Sequence, residues 1–423
     1  MAKIIITTTG TLGDHLPYIA LGKTLQTKGH QVCLAISDSY HEYARKSGLE
    51  VVTCGRSHGK EEVKQDAKTW DQLEKSVSLN RLTTDADEQI IRFIEKECPP
   101  VIETLLKICA DADLLITGIQ YVILGHFVAE KLNMPVLSTS LMPCLQCHTL
   151  PQNSDQQSQA STVERNDPYL PKFNEVRQQF DLKPFTQTEW FTYNETFSEK
   201  AILAASPHFA QPNAKNQKYQ PTGFWFYEDT DWQDWQPDAK LRDFFAIDPK
   251  PLVLSFSSLP LENAQAVLEV HVRAAAKLNR RLLIQQGWAD FNESLLPEDG
   301  DRQMIMFAGF MPQDWLFANA AALIHHGGIG TIARAIRNDC PMLVEPYGND
   351  QFFNAKQILA LKIGAAMHPH RITTDGLAHV LETKVLTDEC KQNVQAIGAK
   401  IRAENSLETT CNLIESWLFP QTC

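Results

Sequence analysis

The chain has 423 residues, a length that predicts two domains of about 200 residues each, because single hydrophobic cores rarely grow much larger. Its 43% hydrophobic and 21% charged residues are ordinary for a globular protein, and its formal net charge of −12 argues against nucleic-acid binding. Ten scattered cysteines predict reduced thiols, and the run KIIITT at residues 3–8 begins a strand instead of an apolar leader. A cytoplasmic protein without a membrane-spanning segment is therefore expected.

Strands and helices alternate along the first half of the chain. Residues 3–9 form a short β-branched run typical of a buried parallel strand, and a glycine turn at Gly10–Gly13 leads into a helix predicted from Leu16 to Lys28. This alternation predicts a doubly wound sheet whose ligand site lies at the carboxyl ends of the strands. The other predicted strands in this half are Gln31–Ile36, Val51–Thr53, Leu114–Thr117, Val136–Thr139 and Ile202–Ala205, and the other helices are Asp38–Ser47 and Ile123–Leu132.

A second alternating series begins after residues 207–250, a stretch dense in Pro, Trp and Asp that predicts an interdomain linker. Residues 54–90 and 143–200 lack strand alternation and predict long loops, which often carry binding function. The strands predicted in this second series are Leu252–Phe256, Arg281–Gln285, Met304–Phe307, Leu323–His325 and Met342–Val344, and the helices are Ala264–Leu278, Thr331–Arg337 and Lys391–Leu418.

The stretch from His325 to Gln351 contains the most informative motif. A buried strand runs into three glycines and then into a helix, a geometry that points backbone N–H groups at an anion. The alternative is a glycine turn made only for tight packing of strand and helix. Asp350 and Gln351 close the stretch with a carboxylate and an amide suited to sugar hydroxyls, unless they form a plain surface turn. The candidate phosphate contacts are His325, Gly327, Gly328, Gly330 and Thr331.

This stretch, HHGGIGT followed by PYGNDQ, resembles the donor-binding signature of nucleotide-sugar glycosyltransferases with the GT-B fold. The similarity is to the UDP-glycosyltransferase family, in the branch of sterol glucosyltransferases and antibiotic glycosyltransferases. Further matches occur in the family's order between residue 4 and about residue 360: TGTLGDHLP at Thr9–Pro17, TGFWF at Thr222–Phe226, QGWADF at Gln286–Phe291 and FMPQDWLF at Phe310–Phe317.

The resemblance implies an α/β protein with two Rossmann-like, doubly wound parallel-sheet domains that face a cleft. Residues 1–206 would form the acceptor-binding domain and residues 251–400 the donor-binding domain, joined by the linker at 207–250. A C-terminal helix within 401–423 would pack back on the N-terminal domain.

The resemblance also assigns roles to individual residues. Asp14 matches the catalytic-base position, although a cap for the following helix is the alternative. Phe310 would stack on uracil while the Met311 backbone reads its edge, unless Phe310 is a core residue. The full set of expected donor-binding residues is Gly13, Ser257, Ser258, Phe310, Met311, Gln313, His325, Gly327, Gly328, Gly330, Thr331, Asp350 and Gln351.

Acceptor-binding residues are expected in the second long loop, where the resemblance places Trp190, Phe191 and Tyr193, although these aromatics could equally be helix core. No metal and no cofactor beyond the donor substrate are expected. An Asp-x-Asp at Asp111–Asp113 has the spacing of a metal site, but it precedes a strand of the other domain and is interpreted as a surface turn.

Four positions depart from the family pattern, and one of them is Ile332, which stands where the family has a second threonine. Ser255 and Ser257 replace glycines that allow close approach to the diphosphate, and Ala333 stands where plant relatives have a ribose-binding glutamate. The donor identity therefore stays open at this point.

The function expected from the resemblance is metal-independent, inverting transfer of a hexose to a hydroxyl of a small lipophilic acceptor. The expected donor is UDP-glucose, and the acceptor could be a sterol, carotenoid, polyketide or phenol. The alternatives are a dTDP-deoxysugar donor and a weakly catalytic nucleotide-sugar-binding partner protein. Peripheral membrane contact and oligomeric state are left open.

Overall fold

The computed structural model describes residues 1–57, 59–60, 88, 90–142, 167–190, 200–210, 219–298, 300–348 and 350–420. They form two α/β domains, each built on a parallel sheet. The N-terminal sheet contains strands β1 (Lys3–Thr7), β2 (Gln31–Ile36), β3 (Glu50–Thr53), β4 (Leu114–Gly118), β5 (Val136–Ser140), β6 (Ala201–Leu203) and β7 (Tyr219–Pro221). The C-terminal sheet contains β8 (Leu252–Ser255), β9 (Leu282–Gln285), β10 (Ile305–Ala308), β11 (Ala322–His325), β12 (Met342–Val344) and β13 (Gly364–Ala366).

The α-helices of the described chain cover both faces of these sheets. In order they are α1 (Leu12–Thr27), α2 (His41–Lys46), α3 (Cys98–Ile108), α4 (Val122–Leu132), α5 (Leu170–Gln179), α6 (Pro207–Ala210), α7 (Ala239–Ala246), α8 (Ala264–Lys277), α9 (Gln313–Asn319), α10 (Ile329–Arg337), α11 (Asp350–Leu361), α12 (Thr374–Val380), α13 (Asp388–Arg402) and α14 (Ser406–Leu418).

The two sheets repeat one strand order. The first runs β3-β2-β1-β4-β5-β6-β7 and the second β10-β9-β8-β11-β12-β13. In each sheet the order reverses beside the first strand, between β1 and β4 and between β8 and β11. In doubly wound sheets the crevice at such a switch point, outside the carboxyl ends of the strands, is where ligands bind. The predicted GT-B architecture is confirmed, and it creates two such crevices.

The strand sequences explain why both faces are covered. Ile4 and Ile6 of β1 point into one buried cluster and Ile5 into the cluster on the opposite face. In β8, Val253 and Leu254 likewise point into buried clusters on opposite faces of the sheet. Strands buried on both faces read as continuous apolar runs, which is the pattern that predicted them. The predicted strands agree with the observed ones to within two residues at either end.

The predicted linker at 207–250 is only partly a linker. Tyr219–Pro221 adds a seventh strand, β7, to the N-terminal sheet, where it pairs with β6. Helix α7 packs Leu241, Phe244 and Phe245 into the core of the C-terminal domain. A strand of three residues and a helix of eight are too short for sequence periodicity to reveal.

The single helix predicted at Lys391–Leu418 was wrong, because the chain breaks between α13 and α14. Ile401 of α13 lies in a C-terminal-domain cluster, whereas Cys411 and Ile414 of α14 lie in an N-terminal-domain cluster. At the break, Ser206 donates a hydrogen bond to Glu404 over 2.5 Å. The second crossing between the domains therefore lies beside the first, and α14 packs on the N-terminal domain.

Helix α14 is fastened to α1 by charge as well as by apolar contact. Lys28 at the end of α1 pairs with Glu408 at 2.7 Å and Glu415 at 3.4 Å. Trp225 donates its ring N–H to Thr410 over 2.9 Å. Within the described residues, none of the helices combines the length and the apolar character needed to cross a bilayer.

Candidate active site

The N-terminal half of the site is the turn that joins β1 to α1. The helix begins at Leu12, four residues before its predicted start, because Thr11 caps it. Asp14 lies in the first turn, where Oδ2 accepts the Thr11 backbone N–H at 2.8 Å and its hydroxyl at 3.2 Å. The alternative that Asp14 is itself the N-cap is therefore wrong, because Thr11 is the N-cap and Asp14 is the acidic member of its capping box. One carboxylate oxygen holds the helix and the other is available for chemistry.

The second oxygen of Asp14 faces the switch point beside β4. Gln120, in the turn that follows β4, donates its amide to Oδ1 at 3.3 Å. Burial raises the pKa of Asp14, although the hydrogen bonds from Thr11 and Gln120 oppose the shift. Gly10 makes this position possible, since a Cβ there would lie 2.4 Å from Oδ2 of Asp14. A carboxylate with a raised pKa accepts a proton more readily, which is what a general base needs.

The C-terminal half of the site is the turn that joins β11 to α10. His325 ends β11 with a fully buried ring, and its Nδ1 accepts the Gly327 backbone N–H at 3.2 Å. Burial holds the pKa of His325 well below its usual value, so the ring is neutral and its proton is on Nε2. Among the described residues, no atom pairs with Nε2. His325 therefore presents one neutral N–H donor.

The glycines of this turn keep the backbone accessible. Gly327 has a φ of +99°, and a Cβ there would lie 2.7 Å from Val344. Helix α10 begins at Ile329, two residues before its predicted start, so Gly330 and Thr331 lie in its first turn. A Cβ on Gly330 would meet nothing within 4 Å. Because the first N–H groups of a helix lack intrahelical partners, the open side of Gly330 leaves room for an anion to approach them.

Asp350 and Gln351 begin helix α11 beside this turn. Asp350 accepts from the amide of Asn354 at 2.9 Å, and that amide also donates to the Gly327 carbonyl at 3.0 Å. Gln351 uses its amide oxygen to accept the backbone N–H groups of Tyr347 and Gly348 at 2.8 and 3.3 Å. Its amide nitrogen is the end suited to a sugar hydroxyl.

The two halves lie across one cleft. Burial, together with the negative charge of Asp14 on the other domain, raises the pKa of Asp350 to about 7. Two carboxylates on different domains influence each other only when they are close. The Asp14 carboxylate and the start of α11 thus lie close together across the cleft.

Comparison with known proteins agrees with this architecture. Residues 4–146 match the glycosyltransferase family 28 N-terminal domain, and residues 299–414 match the erythromycin biosynthesis protein CIII-like C-terminal domain. The calicheamicin glycosyltransferase CalG4 superposes with a TM-score of 0.73 at 14% identity, covering 100% of both chains. The chain belongs to the GT-B glycosyltransferases. The glycotransferase of kitacinnamycin superposes comparably, with a TM-score of 0.72, 17% identity and 98% of each chain covered.

Curated relatives of this glycosyltransferase include several sterol 3-beta-glucosyltransferases. The protein of Debaryomyces hansenii is 25% identical over 95% of the chain, and that of Komagataella phaffii is 24% identical over 96%. UGT80A2 of Arabidopsis thaliana is also 24% identical over 96%. The glycosyltransferase spans 26%, 34% and 64% of the lengths of these three relatives, respectively.

The serines that replace family glycines have distinct effects. Ser255 is buried and its hydroxyl bonds Gln285 at 2.7 Å, so it points along the sheet. Ser257 has a φ of +51°, a conformation that favours glycine. Its carbonyl accepts the N–H of Trp288 at 2.9 Å. Ser257 thus forms this turn at the cost of backbone strain, and its neighbour Ser258 is half-buried.

The expected nucleobase site lies at the start of α9. The Phe310 ring is 60% exposed, which excludes the core alternative, and it packs against Trp232 with ring centroids 6.1 Å apart. Met311 is buried in the domain core, while Gln313 is half-buried at the first position of the helix. Phe310 therefore offers an open aromatic face at the edge of the cleft.

Trp190 is helix core, as the alternative predicted. It is only 2% exposed, donates its ring N–H to Asp167 at 2.7 Å, and packs on Phe173 at 5.0 Å. Phe191 and Tyr193 lie outside the described residues.

The Asp-x-Asp pair contacts Lys3 at the start of β1. Lys3 pairs with Asp111, and its backbone N–H donates to Asp113 at 2.8 Å. That acidic pair lies at the amino end of β1, the edge opposite the cleft, so Asp111–Asp113 is a surface turn.

Sequence reasoning missed two residues of the site. Gln120 contacts Asp14, and Asn354 joins Asp350 to Gly327. Asn354 stands one helical turn after Asp350, a spacing that could have indicated the contact. Gln120 carries no such local signal, because only the sheet order brings the turn after β4 beside α1.

Proposed function

We propose that this glycosyltransferase moves glucose from UDP-glucose to a hydroxyl of a sterol-like lipophilic acceptor, with inversion at the sugar. The observation that carries the proposal is the position of Asp14 opposite the anion-binding turn of His325. The sterol 3-beta-glucosyltransferases that resemble the chain over nearly its whole length support the substrate class. Because those relatives extend well beyond the aligned region, the activity is assigned here to the cleft alone.

Each half of the cleft supplies one part of the reaction. The acceptor hydroxyl gives its proton to Asp14, and its oxygen forms a bond with the anomeric carbon of the donor. The bond between that carbon and the diphosphate oxygen breaks on the opposite face of the sugar. In-line displacement inverts the configuration. Asp14 therefore serves as the general base of a single-step transfer.

The leaving diphosphate needs its growing charge stabilised. The Nε2–H of His325 and the N–H groups at the start of α10 are fixed donors, so they need no reorganisation as charge develops. A neutral imidazole suits this role, since its single N–H donates a hydrogen bond and the ring carries no second proton that it would have to release. We propose that these groups supply the electrostatic stabilisation for which other glycosyltransferases use a metal ion.

Sugar recognition is assigned to the start of α11. The Asp350 carboxylate accepts from donor hydroxyls and the Gln351 amide nitrogen donates to them, which favours a hexose that retains its hydroxyls. A dTDP-deoxysugar donor is the rival. Because a deoxysugar lacks one or more hydroxyl groups, it would leave these polar groups unpaired. Ser255 and Ser257, which replace family glycines beside the diphosphate site, support the second rival, a weakly catalytic binding protein.

The decisive experiment is thermal-shift binding against UDP-, dTDP- and GDP-sugars, each with and without EDTA. We expect the melting temperature to rise most with UDP-glucose and the rise to survive EDTA. A rise that requires added Mg²⁺ or Mn²⁺ would contradict metal independence. A preference for dTDP-sugars would replace the donor, and no rise with any nucleotide sugar would favour the binding-partner alternative.

A further inference from the structure

Asn354 is a fully buried amide between two parts of the donor site. Its Nδ2 donates to the Gly327 carbonyl at 3.0 Å and to Oδ2 of Asp350 at 2.9 Å. Both partners are acceptors, so the atom between them must be the nitrogen, and its two hydrogens serve one partner each. One NH₂ group therefore ties the phosphate turn to the start of α11.

The contact belongs to a longer chain of hydrogen bonds. Gly327 donates its own N–H to Nδ1 of His325, which fixes the imidazole with its proton on Nε2. The carbonyl of the same glycine is held by Asn354, which also holds Asp350. The donor aimed at the phosphates and the carboxylate aimed at the sugar thus belong to one network.

We infer that Asn354 is a positioning residue that sets the distance between the phosphate site and the sugar-binding carboxylate of the donor cleft. The inference rests on the proposed function. It predicts that Asn354 selects a nucleotide sugar over the free nucleotide, because only the sugar uses both ends of the network. An asparagine that merely supports the fold would affect the two ligands equally.

The measure of this role is the ratio of dissociation constants for UDP and UDP-glucose, determined by titration calorimetry. In Asn354→Ala the Asp350 carboxylate loses its positioned donor, and we expect the ratio to fall by about tenfold, the typical effect of a hydrogen bond to a charged group. Asp350→Ala should lower the ratio similarly. The double variant should match Asp350→Ala, because Asn354 acts on the sugar only through that carboxylate.

A matched control lies on the same helix. Gln357 donates its amide to the Ala210 carbonyl over 2.9 Å, away from the cleft. Gln357→Ala removes a hydrogen bond of the same kind and should leave the ratio unchanged. If Asn354→Ala does not fold, Asn354→Ser retains one donor and should give an intermediate ratio.

The pH dependence provides an independent readout. Burial and the charge of Asp14 raise the pKa of Asp350 to about 7, and the hydrogen bond from Asn354 opposes that shift. The other ionisable groups in the adjoining turn, His325 and His326, are neutral because burial lowers their pKa values. The preference for UDP-glucose should weaken as pH falls through about 7, and in Asn354→Ser this decline should begin at a higher pH.

Equal losses of UDP and UDP-glucose affinity in the Asn354 variants, with an unchanged ratio, would overturn the inference. So would additive effects in the double variant. If the unchanged chain binds UDP but not UDP-glucose, the proposed donor is wrong, and this inference fails with it. That outcome is seen before any variant is made, so the two failures are distinguishable.

Discussion

The two halves of the cleft share one topology and present opposite chemistry. At the switch point of the first sheet, a carboxylate with a raised pKa is held by a helix cap and by Gln120. At the switch point of the second, a neutral histidine and the open start of α10 present donors. In the proposed reaction the first half accepts a proton and the second holds an anion.

The difference teaches that the strand order fixes where chemistry occurs, while the turn sequence decides which chemistry it is. After β1, Thr11 and Asp14 form a capping box that uses one carboxylate oxygen, while the other oxygen accepts from Gln120. After β11, Gly327 and Gly330 keep side chains out of the space in front of the helix. Exchanging a few residues in each turn would change the function without changing the fold.

The largest expected effect on the transfer rate comes from removing the proposed base, Asp14, in the N-terminal half of the cleft. Asp14→Asn keeps an oxygen that can accept the Thr11 N–H, so α1 should remain capped. Transfer should fall by about 10²- to 10⁴-fold, the usual contribution of general base catalysis, while UDP-glucose affinity stays within a few-fold. Turnover with a sterol acceptor and calorimetry of donor binding measure the two quantities.

The pH profile sharpens the same test. Because burial raises the pKa of Asp14, kcat/KM should fall as pH decreases through that raised value, where the carboxylate becomes protonated. The residual activity of Asp14→Asn should lack this decline. Near-normal transfer by the variant would mean that Asp14 only stabilises the helix start. The N-terminal half of the cleft would then not supply the general base.

The next effect comes from the second side. His325→Ala removes the Nε2–H donor, and we expect kcat to fall by about 10²- to 10³-fold, as when one donor to a developing anion is deleted. His379, exposed on α12, provides the control, and His379→Ala should leave turnover unchanged. Weaker UDP-glucose binding with an unchanged kcat would show that His325 holds the donor equally in the ground and transition states.

The smallest effect concerns the strained turn beside the phosphate site. Ser257→Gly relieves a left-handed conformation that costs an L-residue about 1–2 kcal/mol, offset by about 0.5–1 kcal/mol of unfolded-chain entropy. The free energy of unfolding should therefore rise by about 0.5–1 kcal/mol in denaturant titrations. Gly287→Ala should act in the opposite direction, since its Cβ would lie 2.6 Å from the Ser257 carbonyl. A loss of stability in Ser257→Gly would remove the evidence for strain.

Much of the fold could be predicted because parallel strands carry their signal locally. Continuous apolar runs such as the one at Lys3–Thr7 identify strands that are buried on both faces. The break between α13 and α14 could not be predicted, since Ala403–Asn405 contains neither glycine nor proline. Only the transfer of the chain from one core to the other explains it.

The residues of the site show the same difference between local sequence signals and long-range contacts. The glycine turn and the acidic helix start at Asp350 are contiguous motifs whose residue types indicate phosphate and sugar binding. Sequence reasoning therefore placed both beside the cleft. The contacts that tune them are not contiguous: Gln120 lies 106 residues from Asp14. The buried position of Trp190 likewise depends on Asp167 and Phe173, whose packing the sequence does not disclose.

The return of α14 to the N-terminal domain has a consequence for synthesis. Ile19 and Leu25 of α1 belong to a cluster that includes Cys411 and Ile414, so this core is completed by the last helix described. At roughly 5–20 residues per second, the ribosome takes tens of seconds to proceed from the N-terminal sheet to that helix. During that interval one apolar face of the nascent domain is uncovered. A fragment that contains only the first domain would keep that face exposed permanently, so isolating the domain requires Ser406–Leu418 to be supplied with it.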